Sequence, residues 1–389
     1  MSERTHSPAG PREEGADPTM PGRPGPGDRA LPGADPILPG RPGPGDRALP
    51  GEGFVVASEP GRGGAATPSF APPADASSAA PATPVPLRIG PRVFTWGART
   101  FVMGVVNVTP DSFSGDGLLT PGGGDARRPG TRDPVGAAVA LAGRMVAEGA
   151  DILDVGGESS RPGHARVDAA EEIARVVPVI AAIRAAHPDM PISIDTTKPA
   201  VADAALDAGA DLVNDVWGVA DDDGLSRLAA ARGAPIVLMH NRAEARYRSV
   251  VAEVVADLER AIERALRAGV AWESIVVDPG FGFGKAPQHN LELLRGLDAL
   301  RLLRRPILLG TSRKSTLGRI LDLPADERLE ATLATTALGI LAGVDIVRVH
   351  DVRENLRAAR TADAVARGWH PPSDPSPCGG GSPMPEVPH

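Results

Sequence analysis

Residues 274–285 read SIVVDPGFGFGK, a short apolar run that ends in a carboxylate and leads into alternating glycines. A continuous aliphatic and β-branched run is typical of a strand buried on both faces of a parallel sheet. Three other stretches share this pattern: DILDVGGES at 151–159, ISIDTTK at 192–198 and DLVNDVWG at 211–218. Because parallel strands end at the same edge, these stretches predict one barrel mouth that gathers Asp154, Asp195, Asn214 and Asp278.

The surrounding sequence, from about residue 87 to 369, divides into a hairpin (87–89 with 93–96) and eight strand-plus-helix units. The predicted strands are 101–107, 151–155, 192–195, 212–215, 235–239, 275–278, 307–310 and 346–349. Between them lie helical patterns such as Val250–Arg267, where apolar residues recur with a period of about 3.6. This alternation predicts an α/β fold, a single (β/α)8 TIM barrel with an N-terminal β-hairpin.

The flanking residues have a different composition. Residues 1–86 are rich in proline and glycine, and PGRPGPGDRALPG occurs twice, at 21–33 and 39–51. Their low apolar content cannot offset the conformational entropy that folding removes, so we predict a disordered arm. Residues 370–389 have the same character. The predicted organisation is therefore an arm, a barrel over 87–369 and a tail.

The composition of the chain excludes several classes of protein. The 389 residues carry a net charge of −8, whereas nucleic acids and anionic membranes call for basic surfaces. Cys378 is the only cysteine, so no intrachain disulfide and no cysteine-based metal site is expected. The N-terminal residues lack the apolar segment of a signal peptide, and no run reaches the ~18 apolar residues of a membrane span. We therefore expect a cytoplasmic protein with no nucleic-acid or membrane partner.

Cationic residues follow the last two predicted strands. The segment 310–318 reads GTSRKSTLG, and in barrels the loops after strands 7 and 8 often bind phosphate. Arg313 and Lys314 add positive charge there. Arg348 and His350 alternate with valines and so lie on one face of the last strand. These residues predict an anion site at the mouth.

Two further segments allow a functional and a structural interpretation. In NVTPDSFSGDG, Asn107 ends the first barrel strand, and the residues after it could be turn chemistry alone. In DVGGESSRPGH, Ser160 and Arg161 offer a hydroxyl and a planar cation beside Pro162. A strained surface turn with no binding role is the alternative interpretation of this glycine-rich segment. Asp195 could likewise cap a helix or pair with Lys198.

Taken together, the motifs of residues 87–368 resemble dihydropteroate synthase of folate biosynthesis. Eight of them occur in the family's order: NVTPDSFSGDG, DVGGESSRPG, SIDTTK, NDVWG, LMHNR, DPGFGFGK, TSRKS and RVHDV. The resemblance implies a Mg²⁺-assisted transferase reaction. The amine of 4-aminobenzoate would attack the exocyclic methylene of 6-hydroxymethyl-7,8-dihydropterin diphosphate, diphosphate would leave, and 7,8-dihydropteroate would form. Sulfonamides would compete with aminobenzoate.

The resemblance also implies roles for individual residues. The pterin ring would be bound by Asp195, Asn214, Asp278 and Lys314, with Met239 lining the pocket. The diphosphate and its Mg²⁺ would be bound by Asn107, Arg348 and His350, with Asn107 as the metal ligand. The aminobenzoate pocket would be formed by Ser160, Arg161, Pro162, Phe283 and Ser315. The catalytic residues would be Asp195, Lys314 and Arg348. A homodimer through the later helices is also implied.

The sequence departs from the family pattern at two places. Ser160 stands where threonine is usual, which removes a methyl group from the aminobenzoate side. Residues 117–132, GLLTPGGGDARRPGTR, add an extra glycine- and arginine-rich stretch to the first loop. Two alternatives are a cobalamin-dependent pterin-binding methyltransferase domain and a catalytically idle paralogue. The TSRKS and RVHDV segments oppose the first, and intact Lys314, Arg348 and Asp278 oppose the second.

Overall fold

The computed structural model describes residues 83–109, 133–158 and 167–369. The predictions for residues 1–82 and 370–389 lie outside the described residues. The same holds for the first long loop, for its extra stretch at 117–132, and for Ser160, Arg161 and Pro162.

The strands of the described residues form a two-stranded antiparallel hairpin and an eight-stranded parallel sheet. The hairpin strands are β1 (Leu87–Ile89) and β2 (Arg92–Phe94). The parallel strands are β3 (Phe101–Asn107), β4 (Ile152–Gly156), β5 (Ile192–Asp195), β6 (Leu212–Asp215), β7 (Ile236–Met239), β8 (Ile275–Asp278), β9 (Leu308–Leu309) and β10 (Ile346–Val349). The predicted strands agree with these to within one or two residues at each end.

Helices follow the strands in regular alternation. Over the same residues they are α1 (Pro134–Glu148), α2 (Ala169–Ala186), α3 (Pro199–Asp207), α4 (Gly224–Arg232), α5 (Val250–Arg267), α6 (Pro287–Arg295), α7 (Ser315–Leu321), α8 (Leu329–Leu341) and α9 (Val352–Arg367). Short 3₁₀ turns lie at Trp272–Ser274, Leu297–Leu303 and Ala325–Glu327. Helix α5 has the bounds that its apolar period predicts, and it buries Val254, Leu258 and Ile262. No helix in the described ranges is long and apolar enough to cross a bilayer.

The parallel sheet runs in the order β8-β7-β6-β5-β4-β3-β10-β9 and closes on itself. Closure is made by a parallel bridge between Val277 and Ile307, and the backbone N–H of Val277 donates to the carbonyl of Pro306 at 2.9 Å. The predicted (β/α)8 barrel with an N-terminal hairpin is therefore confirmed.

Side chains of the barrel strands alternate between an outer and an inner face, as the strand period of two requires. The outer face packs under the helices in one large cluster that includes Val102, Ile192 and Ile194. The inner face forms a separate buried cluster: Phe101, Met103, Ile152, Leu212, Val237, Val276, Leu308 and Ile346. The half of the barrel interior nearest the N-terminal ends of the strands is therefore packed with apolar side chains.

The hairpin seals the N-terminal end of the barrel. Leu87, Ile89, Phe94 and Trp96 belong to the same interior cluster. The ring of Phe94 lies 4.7 Å from that of Phe101, and Trp96 meets Phe101 edge-on at 5.6 Å between centroids. This end of the barrel is therefore closed by apolar groups, and the C-terminal ends of the parallel strands, with their polar residues, lie at the opposite mouth.

Candidate active site

The polar residues of the mouth lie two residues farther along their strands than the apolar residues of the barrel interior. Moving two residues along a strand keeps a side chain on the same face, so each interior residue is followed by an inward-facing partner. These pairs are Ile152 with Asp154, Leu212 with Asn214, Val237 with Met239, Val276 with Asp278, and Ile346 with Arg348. Asp195 is inward by the same rule, because Ile192 and Ile194 pack outside.

Arg348 connects two of the carboxylates. Its Nε donates to Oδ2 of Asp154 at 2.6 Å, and a terminal guanidinium nitrogen donates to Oδ2 of Asp195 at 2.7 Å. The Arg348 side chain is 16% exposed and that of Asp154 is 0% exposed. Burial opposes the charge of Arg348, but Asp154 and Asp195 outweigh it and raise the pKa of the guanidinium. The alternative pairing of Asp195 with Lys198 does not occur, because Lys198 binds Glu158 and Glu172.

Asp154 is incompletely satisfied. Its Oδ2 accepts hydrogen bonds from Arg348 and, at 3.1 Å, from the side-chain amide of Asn214. Its Oδ1 is buried and has no hydrogen-bond partner in the part of the chain that the structure describes. A buried carboxylate oxygen without a donor is costly, so this atom is suited to a ligand that brings an N–H group or a cation. The sequence placed Asp154 in the ring but gave it no role.

Burial also shifts the acidity of the other carboxylates. The pKa of Asp195 is raised above its ordinary value by burial and by the nearby charge of Asp154, against the opposing effect of Arg348. Burial raises the pKa of Asp278 to about 6, although the Gly280 N–H, at 2.7 Å from Oδ1, lowers it. When ionised, each carboxylate is a more basic hydrogen-bond acceptor than an exposed one and suits the N–H donors of a heterocycle.

Lys314 and Phe283 meet at the side of the mouth. The Lys314 Nζ lies 3.7 Å from the centroid of the Phe283 ring, a cation–π contact. Gly282 lets the two come together, since a Cβ at this residue would lie 3.0 Å from Lys314 Cδ. Ser315 is exposed and is the first residue of α7.

The end of β10 adds a histidine that is held by a neighbouring loop. Ser312 Oγ lies 2.9 Å from His350 Nδ1 and accepts a 3.2 Å hydrogen bond from the backbone N–H of the same residue. Arg313 does not join this cluster, because it pairs with Asp351 at 2.7 Å. Nothing in the sequence pattern singles out Ser312, although it belongs to the TSRKS segment.

Comparison with known proteins settles the family. Residues 103–350 match the model of the pterin binding enzyme family. The chain belongs to this family. It is 46% identical over 282 residues to dihydropteroate synthase of Clostridium beijerinckii, covering 72% of this chain and all of the relative. The Bacillus subtilis dihydropteroate synthase is 44% identical, with 71% of this chain and 92% of the relative covered.

Solved structures of the family agree with the fold. A Clostridium difficile dihydropteroate synthase, determined in the presence of pteroic acid, matches with a TM-score of 0.64 and 48% identity, over 70% of this chain and 99% of that one. A Xanthomonas albilineans dihydropteroate synthase with 4-aminobenzoic acid matches with a TM-score of 0.65 and 40% identity, over 73% and 98%. Within the pterin binding enzymes the chain is thus a dihydropteroate synthase, and so a transferase.

Proposed function

We propose that the buried polar layer at the barrel mouth condenses 6-hydroxymethyl-7,8-dihydropterin diphosphate with 4-aminobenzoate to 7,8-dihydropteroate and diphosphate. One observation carries the assignment of the site: Arg348 bridges Asp154 and Asp195 directly above the apolar interior layer. A heterocycle with N–H donors and an anionic leaving group would both find partners in that arrangement. The pteroic acid and aminobenzoic acid named for the solved relatives belong to the same chemistry.

For the pterin ring, we assign Asp195, Asn214, Asp278 and Lys314, with Met239 lining the pocket. The 2-amino-pyrimidinone edge of a pterin has adjacent N–H donors that match carboxylate acceptors. Asn214 and Asp278 are buried, so their hydrogen bonds would form away from competing water. We add Asp154 to this set, because its buried Oδ1 needs a donor.

For the diphosphate, we assign Arg348 and His350. The leaving group departs more readily when its growing negative charge is neutralised. Arg348 has a pKa above its ordinary value and stays charged at any working pH. The methylene gains positive character as the bond to oxygen breaks, and the carboxylate of Asp195 can stabilise that charge. In this assignment Asp195, Lys314 and Arg348 are the catalytic residues.

The residues present also fit Mg²⁺ bound together with the diphosphate. Within the described ranges no group of three or more His, Cys, Asp or Glu side chains is arranged to bind a metal ion. Mg²⁺ is commonly held by substrate phosphates plus one or two protein oxygens and waters, so a full protein cage is not required. We propose Asn107, the last residue of β3, as the protein ligand. When bound, Mg²⁺ would add to the neutralisation of the leaving diphosphate.

For aminobenzoate, we assign Phe283 and Ser315 together with Ser160, Arg161 and Pro162, which lie outside the described residues. The aromatic amine is unprotonated at neutral pH and needs no activating side chain. Arg161 would balance the carboxylate of this substrate. Sulfonamides, which resemble aminobenzoate, would compete there.

We further propose that the chain acts as a homodimer in the cytoplasm. Exposed apolar residues lie on or just after the later helices: Leu338 and Leu341 on α8, Val365 on α9, and Trp369 two residues beyond it. These two helices pack against each other through Ile340, Ala359 and Ala362. Exposed apolar side chains on two helices that pack together are suited to contact with a second copy of the chain.

The reaction is tested with purified protein, pterin diphosphate, labelled 4-aminobenzoate and Mg²⁺. We expect release of diphosphate and formation of labelled dihydropteroate, both lost when Mg²⁺ is chelated and restored when it is added back. No diphosphate release under any of these conditions would favour the idle paralogue. Turnover of a methylated folate instead of the diphosphate would favour the methyltransferase.

A further inference from the structure

A lysine that the family assignment leaves without a role closes the loop after β8. Lys285, partly buried, directs its Nζ at Nδ1 of His240 at 2.9 Å and at three backbone carbonyls: those of Gly280 at 2.9 Å, Phe283 at 3.0 Å and His240 at 3.4 Å. An ammonium group has three N–H donors, and the three shortest of these contacts use all of them. The loop 278–285 is thereby closed around one amino group, whose pKa burial lowers to about 7 while the nearby Asp278 raises it.

The path of the loop explains why its carbonyls converge. Gly280, Gly282 and Gly284 have φ of +66°, +83° and +55°, a conformation that L side chains rarely adopt. A Cβ at Gly280 would lie 1.8 Å from the carbonyl oxygen of His240, so the loop runs directly against the segment after β7. Turned this way, the carbonyls of Gly280 and Phe283 face the same point, and the ammonium offsets the repulsion between their dipoles.

The ring of His240, whose Nδ1 faces Lys285, is fixed from its opposite side. His240 is buried, and its Nε2 lies 3.0 Å from Oδ2 of Asp257 on α5. Asp257 also accepts hydrogen bonds from Arg242, at 2.7 and 2.9 Å. Burial lowers the pKa of His240 to about 3, so the ring is neutral. Because its Nε2–H donates a hydrogen bond to Asp257, the unprotonated Nδ1 is left as the acceptor for Lys285.

The loop that Lys285 closes carries residues of the proposed site at both ends. Asp278 is the last residue of β8 and is held by the strand ladder. Phe283 lies outside the strand ladder: its N–H donates to the carbonyl of Gly280 at 3.1 Å, its carbonyl accepts from Lys285, and its ring lies against Lys314. The position of Phe283 therefore depends on Lys285 more than that of Asp278 does.

We propose that Lys285 is a positioning residue for the aminobenzoate subsite, acting through the backbone of the loop to hold Phe283 in place. This inference rests on the proposed function. Lys285 contacts protein groups and not the reacting atoms, so its loss should affect the subsite that Phe283 lines and leave the pterin subsite largely intact.

The test measures the KM for each substrate, kcat and the melting temperature of three chains. Lys285→Met removes the charge and all donors while keeping the length of the side chain. We expect the KM for aminobenzoate to rise about tenfold, because Phe283 would shift slightly in the aminobenzoate subsite. The KM for pterin diphosphate should change less than about threefold, because the pterin residues stay in place. Lys285→Arg keeps the charge, but its donors are spread over three nitrogens in a plane and cannot all reach the acceptors of Nζ. Its aminobenzoate KM should therefore lie between those of the wild type and the Met variant.

Arg184 provides a matched control. Like Lys285, it is a partly buried cation that donates to three backbone carbonyls: those of Pro188 at 2.7 Å, Met190 at 2.9 Å and Gly209 at 2.8 Å. It lies on the side of the barrel where β5 and β6 begin, away from the mouth. Arg184→Met should lower the melting temperature and leave both KM values as they are.

The outcomes separate a positioning role from a structural one. A Lys285→Met chain with a lower melting temperature and wild-type KM values, like the Arg184→Met control, would overturn the inference. If Lys285→Met does not fold, Lys285→Arg takes its place, and unchanged KM values in that chain would likewise overturn it. A wild-type chain that releases no diphosphate would refute the proposed function instead, which keeps the two failures distinct.

Discussion

Arg348 donates from Nε to Oδ2 of Asp154 at 2.6 Å, across a separation of 194 residues. The two strands that carry them, β10 and β4, flank β3 on either side, so the ion pair spans a strand at the barrel mouth. Both side chains are largely buried. Breaking such a pair leaves an uncompensated buried charge, which is more costly than the pair itself is stabilising.

Asp154→Asn should therefore reduce turnover strongly. The substitution removes the charge that orients Arg348 and leaves the guanidinium shared only with Asp195. We expect kcat to fall about 100-fold, the usual consequence of losing one preorganised electrostatic contact. Steady-state release of diphosphate measures it. Asp211→Asn is the matched control, because Asp211 pairs with Arg184 where β5 and β6 begin; a similar loss of kcat in both variants would contradict the prediction.

The sequence predicted the barrel and most of its polar ring because both follow from local rules. An apolar run that ends in Asp or Asn identifies a strand and its mouth residue, and the strand period of two puts Asp195, Asn214 and Asp278 on the inner face. The partners of these residues could not be predicted in this way. The bond from Arg348 to Asp154, and the one from Ser312 to His350, depend on side-chain geometry between strands that are distant in sequence.

Lys285 illustrates the same limit from another direction. Glycine-rich loops of the kind seen in DPGFGFGK often bring backbone N–H groups to an anion, and the sequence alone assigned Lys285 no role. In the structure its Nζ is directed instead at carbonyls of its own loop and at His240. Glycines with positive φ can bring either backbone N–H groups or backbone carbonyls to one point. Which of the two occurs depends on the path of the loop in the folded protein.

The buried charge of Asp278 should make the ligand-free protein less stable at high pH. Burial raises its pKa to about 6, from an ordinary value of about 4. Between these values the folded chain holds a proton that the unfolded chain has lost, so stability falls as the pH rises through this window. Asp278→Asn should therefore stabilise the protein by up to about 3 kcal/mol at pH of about 8 and by little at pH of about 4.

Urea unfolding of the wild type and Asp278→Asn at both pH values measures this difference. The same variant should bind pterin more weakly, because an amide replaces the carboxylate acceptor. Asp189→Asn, at an exposed residue between α2 and β5, is the control and should change stability by no more than about 0.5 kcal/mol. An equal gain from Asp278→Asn at both pH values would show that the buried charge is not its source.

Ser312→Ala should weaken diphosphate binding. The hydroxyl of Ser312 lies 2.9 Å from Nδ1 of His350 and accepts from its backbone N–H, so it holds both the ring and the end of β10. Loss of a buried hydrogen bond of this kind is worth about 1 to 3 kcal/mol, and we expect the inhibition constant of inorganic diphosphate to rise about tenfold. Ser274→Ala, just before β8 at the far end of the barrel, should leave that constant as it is. A Ser312→Ala chain with a lower melting temperature but unchanged inhibition would limit Ser312 to a structural role.

A charge on the exposed face of α8 should separate the proposed dimer. Leu338 and Leu341 are each 57% exposed and lie three residues apart, on one side of the helix. In a monomer these side chains stay in contact with water, so Leu338→Glu should leave the fold and melting profile of the isolated chain close to the wild type. In a dimer the new carboxylate would be buried against apolar groups, a cost of several kcal/mol that disperses the assembly. Sedimentation velocity should then show a shift from dimer to monomer for Leu338→Glu, whereas Val93→Glu, at an exposed apolar residue of the hairpin, should stay dimeric. A Leu338→Glu chain that stays dimeric would show that the later helices are not the interface, and a monomeric wild type would refute the dimer itself.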